Sequence, residues 1–399
     1  MKTSEDVDPL VYIIAGEPSG DLIASRLMAA LKKKTDGKIR FQGIGGELMH
    51  KEGSFKSIFP MHELSVMGLV EILPHLPNLL RRIKETEKSI KEVSADVLVT
   101  IDSPEFNFRI CKKLKNSVIP IVHYVAPQVW AWRPGRAKKL SNFLDNLLLL
   151  FSFEQKYFDN YNLKTTFVGH PILEEPFSKS NGIVFREKHK IGKEDLLLSI
   201  LPGSRKAELV RHLPIFSETV TLLRERYNLK WVVVPAIPKY RELVESKVQR
   251  WDVNTIVVDA AQNIEKFSGM LASDAALTSA GTATLELARA QVPMVVTYRA
   301  HPITFAVAKR LVTIPHVALV NIIADQHVVP EYLQKNCKPE ILASAVGKML
   351  IDKIARNDQM KWLEKVSSKL GDKTSPPSHL AAEVILKLIQ QTEPISGRL

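Results

Sequence analysis

The chain has 399 residues, too many for one ordinary core, so two domains are the default. Its 45% hydrophobic and 25% charged residues are the proportions of a globular soluble protein, and no apolar run approaches the roughly 20 residues that span a bilayer. Two cysteines, Cys111 and Cys337, make neither a disulfide framework nor a metal cluster and fit a reducing cytoplasm, while a net charge of +12 asks for an anionic partner: nucleic acid, anionic lipid or a phosphorylated substrate.

The first eight residues lack the apolar core of a signal peptide. Residues 10–15 read as a strand, then come Gly16-Glu17-Pro18-Ser19-Gly20-Asp21 and a helix over about 22–34 with Leu22, Leu27, Ala30 and Leu31 on its apolar side. This is a βα unit with a glycine loop, yet it lacks G-x-G-x-x-G, and Glu17 and Asp21 would repel a pyrophosphate. Such a loop suits hydroxyls or a cation, unless Asp21 only caps the helix. A second strand and glycine turn follow at 41–46. The segment 59–82 has too many large apolar residues and prolines for a surface loop, and basic residues follow it. With Val66, Met67, Leu69 and Leu73 it makes either a patch that enters lipid headgroups or grips acyl chains, or a helix packed in the core.

The strand at 95–101 delivers Asp102-Ser103-Pro104-Glu105-Phe106-Asn107 at its carboxyl end, where open parallel sheets bind ligands. Asp102 there is a candidate base for a hydroxyl nucleophile, or the N-cap of a helix over 106–114. The strand at 119–125 runs through Tyr124 into Ala126-Pro127-Gln128-Val129-Trp130-Ala131-Trp132-Arg133. The two tryptophans with Arg133, Arg136, Lys138 and Lys139 form an aromatic and cationic surface suited to stacked bases or to a sugar face with a nearby phosphate. Strands at 145–151 and 166–170 complete a doubly wound α/β domain.

The stretch 173–195 is charged and short of apolar periodicity and reads as the linker between a first domain, 1–172, and a second, 196–345. The second begins with a strand at 196–201, the loop Pro202-Gly203-Ser204-Arg205 and a helix over about 207–227; strands follow at 231–235 and 255–258. The strand at 274–278 then enters Ser279-Ala280-Gly281-Thr282-Ala283-Thr284-Leu285-Glu286, whose small residues open a helix. Strand, small-residue turn and helix aim free N–H groups and a positive dipole end at an anion, with Glu286 one turn further on and suited to a sugar hydroxyl. Either this is a diphosphate–ribose site or an ordinary capped turn. Gly203, Ser204 and Arg205 make a second such turn, and Asn321 is placed to bind polar groups. The later half therefore reads as the binder of an activated nucleotide and the earlier half as the binder of something hydroxylated and greasy. Helices near 339–352, 358–370 and 378–391 have no strands between them, and from 346 to 399 they are expected to return to the first domain.

These motifs, taken in order, resemble the lipid-A-disaccharide synthase family over about 11–390, and the tryptophan-containing one is highly specific to it. The resemblance implies a GT-B fold of two Rossmann-like halves facing a cleft, and an inverting glycosyltransferase without metal or cofactor. It implies UDP-2,3-diacylglucosamine as donor, 2,3-diacylglucosamine 1-phosphate (lipid X) as acceptor, and a peripheral place on the cytoplasmic face of the inner membrane, against anionic lipids. Asp102 matches the family's proposed base, with Glu17 as the other carboxylate to weigh. Ser19, Arg205, Glu286 and Asn321 match functional positions. On that basis Gly203, Ser204, Arg205, Ser279, Gly281, Thr282, Glu286 and Asn321 are assigned to the donor. Ser19, Gly20, Asp21, Tyr124, Gln128, Trp130 and Arg133 are assigned to the acceptor. Pro18 and Ser103 stand where other members often carry different small residues. A homodimer is possible in such a family; nucleic acid is not expected as a partner, because it explains neither the two phosphate turns nor Asp102. The alternative enzyme is another UDP-sugar GT-B protein, a 2-epimerase or a transferase with a soluble acceptor, against which the apolar 59–80 segment speaks.

Overall fold

Parallel strands covered on both faces are continuous apolar runs rather than alternating ones, and the chain supplies two sets. The computed structural model describes residues 8–53, 55–64, 69–132, 135–302, 305, 310, 312, 314–372 and 374–391. The first set is β1 (Leu10–Ala15), β2 (Arg40–Ile44), β3 (Val97–Ile101), β4 (Ile121–Tyr124), β5 (Asn146–Leu149) and β6 (Lys164–Phe167). They form one parallel sheet in the order β2-β1-β3-β4-β5-β6. The second set is β7 (Leu197–Leu201), β8 (Trp231–Ala236), β9 (Asn254–Asp259), β10 (Ala275–Ser279), β11 (Met294–Tyr298) and β12 (Glu331–Leu333), in the order β12-β11-β10-β7-β8-β9.

Each order contains one place where the winding reverses. In the first sheet the chain goes from β1 outward to β2, then returns to β3 on the other side of β1. In the second it goes from β7 through β8 to β9, then returns to β10 beside β7. Crevices open at the carboxyl ends of the strands at such reversals. The loops after β1 and β3, and after β7 and β10, are among those singled out above as sites.

In the first unit α1 (Pro18–Lys34) follows β1, the short α2 (Glu47–Lys51) follows β2, and α3 (Leu69–Glu92) leads to β3. The helices α4 (Pro104–Leu114), α5 (Val129–Trp132) and α6 (Arg136–Leu140) follow β3 and β4. Chain reversal beside β1 with right-handed crossovers puts α1 on one face of the sheet and α3, α4 and α6 on the other. Along α3, Ile83, Thr86 and Ile90 are buried at helical spacing, which anchors its second half on the sheet, whereas Leu80 is 47% exposed. Val66 and Met67 lie outside the described residues; Leu69 and Leu73 fall in the first two turns of α3. Among the described residues no helix is long and apolar enough to cross a membrane.

The first unit runs to Leu173 and resumes at Leu370; the second spans Glu174–Lys369. Two expectations are corrected here. The stretch 173–195 is no bare linker: α7 (Lys179–Lys188) lies within it and packs on α10 (Asn263–Ala272), which follows α8 (Lys206–Tyr227) and α9 (Arg241–Val248) in the second unit. Buried Phe185 and Ile191 join Leu197, Val233 and Val258 in one cluster, too sparse in sequence to announce a helix. Nor do all the final helices return. After α11 (Ala283–Ala290) and α12 (Leu319–Ala324), both α13 (Pro339–Ile351) and α14 (Lys353–Ser368) stay in the second unit. The Gln359 side chain exchanges hydrogen bonds with both backbone groups of Met294, and Ser367 donates to the Ala288 carbonyl, which ties α14 to α11 and β11. Only α15 (Pro377–Gln391) joins the first unit, packed on α1.

Candidate active site

Strain concentrates at the carboxyl edge of the first sheet. Asp102 and Ser103, directly after β3, have φ of 49° and 42°, and Val125, directly after β4, has φ of 79°. A β-branched residue at positive φ is a true outlier, and such conformations cost roughly 1–3 kcal/mol each. The surroundings hold the turn in this shape: the Asp102 N–H donates to the Tyr124 carbonyl at 3.0 Å, and Asn107 Nδ2 donates to the carbonyls of Ile101 and Asp102 at 3.2 and 2.7 Å. Ser103, not Asp102, is the N-cap residue of α4. That removes the capping explanation for Asp102, whose carboxyl is pushed above its ordinary range by burial, against a hydrogen bond from the Ser103 N–H. The turn after β1 presses on this one: a Cβ on Gly16 would sit 2.4 Å from Ser103 Oγ, so only glycine fits. Glu17 is thereby held on the loop that touches the Asp102 turn, with exposed Ser19 beyond it.

Three of the residues assigned to the acceptor do something else. Asp21 is buried, and its carboxylate accepts from the N–H groups of Gly46, Leu48 and Met49 at 2.8–3.2 Å. It caps α2 across 25 residues and more of sequence, the role of an N-terminal carboxylate at a helix dipole. Gly20 is buried in the first turn of α1, where an added Cβ would stand 3.5–3.7 Å from Ala15 and Ile101. Trp130 is 4% exposed; its ring meets Phe153 edge-on, and its Nε1–H donates to Glu154 at 3.2 Å, so it offers no open stacking face. Tyr124 is likewise buried at the end of β4, whereas Gln128 is exposed on the following loop. Arg133 lies outside the described residues.

In the second sheet the turns after β7 and β10 are neighbours, since Leu201 pairs with Thr278. Gly281 has φ of +153°, a value that excludes most side chains, and open space where a Cβ would stand. Among the described residues the N–H groups of Gly281, Thr282 and Ala283 have no partner, while Thr284 and Leu285 begin the bonding of α11. Ser279 is buried at the end of β10 and Thr282 is exposed. Glu286 is held by Lys266 of α10 at 2.9 Å, both side chains mostly covered.

The loop after β7 differs from expectation. The Glu208 carboxylate accepts from the N–H groups of Ser204 and Arg205 at 3.1 and 3.3 Å and from the Tyr298 hydroxyl at 3.3 Å. The amides of Ser204 and Arg205 are thus engaged by the chain's own carboxylate at the start of α8, and the Arg205 side chain is exposed. His212 ties this loop to the next strand: its Nε2 accepts from the Arg299 N–H at 3.0 Å, which leaves Nδ1–H to donate to the Pro202 carbonyl at 2.7 Å. Burial keeps this imidazole below its ordinary pKa, and hence neutral. Asn321 is corrected outright. Fully buried, it donates to the Val329 carbonyl and Glu331 Oε1 and accepts from the N–H groups of Val328 and Val329, all at 2.7–2.9 Å. Nothing of its hydrogen-bonding capacity is left for a ligand.

Glu154, Glu208, His212 and Lys266 were missed by sequence reasoning. Glu208 alone had a local signal, three residues past the loop residue Arg205 at a helix start. Among the described residues no group of three His, Cys, Asp or Glu is gathered as a metal site.

A profile of the lipid-A-disaccharide synthetase family matches residues 11–385. The lipid-A-disaccharide synthase of Rhodospirillum centenum is 44% identical over 382 residues, covering 95% of this chain and 94% of that one. The chain belongs to the lipid-A-disaccharide synthase family. The synthase of Paramagnetospirillum magneticum is also 44% identical, over 96% of this chain and 98% of its own. Among solved structures, Staphylococcus aureus MnaA with UDP superposes with a TM-score of 0.63 at 13% identity, over 96% of each chain. The calicheamicin glycosyltransferase CalG4 superposes with 0.62 at 13%, over 97% of this chain and 100% of that one. At that identity the likeness is one of fold, the GT-B fold, which transferases and UDP-GlcNAc 2-epimerases share. Membership of the synthase family distinguishes between them and makes this a glycosyltransferase.

Proposed function

We propose that the chain joins 2,3-diacylglucosamine, delivered as UDP-2,3-diacylglucosamine, to 2,3-diacylglucosamine 1-phosphate (lipid X), giving the β-1',6-linked disaccharide 1-phosphate and UDP. The observation that carries this reading is the opposite character of the two switch-point turns. The first unit offers carboxylates on a strained turn, suited to a hydroxyl. The second offers three open amides at a helix start, suited to a diphosphate.

The acceptor 6-hydroxyl attacks C1 of the donor sugar opposite the diphosphate, so the new bond forms as the C1–O bond to UDP breaks, and configuration inverts. The hydroxyl proton goes to Asp102, whose raised proton affinity brings it closer to operating pH. Glu17, on the touching loop, is the second candidate. The electron pair left on the diphosphate is met by the amides of Gly281, Thr282 and Ala283, the dipole of α11 and the Arg205 guanidinium. These are protein groups, so the proposal needs no metal and no cofactor. Glu286, oriented by Lys266, accepts from a donor hydroxyl. Val66, Met67, Leu69 and Leu73 are assigned to acyl chains at the cytoplasmic face of the inner membrane, where the surplus charge of +12 favours anionic lipids.

Asp102→Asn tests the base. It is expected to bind UDP as tightly as the parent and to lose about 100- to 10,000-fold in kcat, the usual contribution of general base catalysis. Turnover within a few-fold of the parent moves the role to Glu17.

A further inference from the structure

The helices α4 and α6 turn cationic faces toward each other around a cavity of about 240 Å³. Arg109 and Lys112 come from α4, Arg136 and Lys139 from α6. The one lining carboxylate is Glu105, paired with Arg136 at 3.2 Å. Among the described residues no carboxylate pairs with Arg109, Lys112 or Lys139. Four cations against one anion leave a surplus of three positive charges around a single cavity, and such a surplus is relieved by a bound anion.

The floor is not ionic. Phe108 and Phe143 are buried beneath the cations, with the Arg136 guanidinium 5.3 Å from the Phe108 ring centre and Lys112 Nζ 5.7 Å from that of Phe143. The cavity therefore pairs anion-binding heads with an apolar base. Its volume falls short of the roughly 300–1,000 Å³ that encloses a drug-sized ligand and is sized for a headgroup rather than a whole amphiphile. The neighbouring helix on the same face is α3, which packs on α4 and carries the apolar segment at its start.

We infer that this cavity binds the phosphate ester of an amphiphile. Two sources share that chemistry: the phosphate of a glycolipid acceptor, which rests on the proposed reaction, and the phosphate of an anionic membrane lipid, which does not. The substitution Arg109→Gln with Lys112→Gln removes two exposed cations and leaves the Asp102 turn and both glycine turns untouched. Two readouts separate the sources in the full chain: flotation with phosphatidylcholine vesicles with and without phosphatidylglycerol, and kcat and KM for the phosphorylated acceptor. Loss of charge-assisted hydrogen bonds predicts an effect of about tenfold or more.

Weakened flotation on phosphatidylglycerol alone assigns the cavity to a membrane lipid. Raised KM at constant kcat assigns it to the acceptor. Restoration by Arg109→Lys with Lys112→Arg supports charge as the cause in either case. Should the glutamine pair fail to fold, exposed Lys139→Gln is read the same way. Flotation and KM both unchanged overturn the proposal, as does a fall in kcat alone. If the parent enzyme itself turns over no phosphorylated acceptor, the reaction assignment fails while the flotation arm still decides the cavity.

Discussion

At the scale of the residue, the same chemical group serves as ligand contact or as scaffold according to what lies next to it. Asn321 has its whole hydrogen-bonding capacity used within the loop that leads to β12, and its partner Glu331 also accepts from the Val317 and Ala318 amides ahead of α12. Removing the amide leaves several buried backbone groups unpaired at roughly 1–3 kcal/mol apiece. Asn321→Ala is accordingly expected to lower stability by about 2–4 kcal/mol, seen as a fall in the denaturant midpoint; an unmoved midpoint contradicts the scaffold role. Such roles were closed to sequence reading because the partners decide them. Asp21 lies within one promising loop and Glu208, unremarked in the sequence, just past another, yet one caps α2 and the other occupies the Ser204 and Arg205 amides. Asp102 was legible as a functional carboxylate at a strand end, but its strained φ and the fit of Gly16 against Ser103 needed coordinates.

At the scale of the element, the buried strands announced themselves because parallel sheets leave no polar face to interrupt the apolar run. The helix α7 did not, since only Gly182 and Phe185 within it are buried. The segment after β4 shows how an element is pinned from a distance. Glu154, 2% exposed, accepts from Trp130 Nε1–H and from the amides of Leu150 and Phe151, which locks the tryptophan-bearing helix α5 to the loop after β5. Burial pushes its carboxyl up to about 7, opposed by these hydrogen bonds. A raised carboxyl pKa means that the folded state holds the proton more tightly, so this contribution is full below the unfolded value of 4.5 and is lost as pH rises through about 7. Between pH 5 and pH 8 the loss amounts to about 2–3 kcal/mol. Glu154→Gln cannot ionise, so its stability relative to the parent should improve by that amount over the same interval. Melting curves of the two proteins at several pH values decide the matter, and a gap independent of pH contradicts the raised pKa.

At the scale of the whole molecule, the chain is two Rossmann-like units, each with its own sheet and core, and among the described helices after Glu174 only α15 belongs to the first unit. Each unit places its candidate turns where its sheet reverses winding, and the two pairs of turns differ in kind. The first pair presents carboxylates and strain; the second presents open amides beside Arg205 and the Lys266–Glu286 pair. The proposed reaction depends on that separation, with the diphosphate handled by the second unit alone. Amide hydrogen exchange with and without UDP tests it most directly. Binding should slow exchange across 279–286, with 16–21 and 102–105 unchanged, whereas protection of 16–21 with 279–286 unaltered would contradict the account.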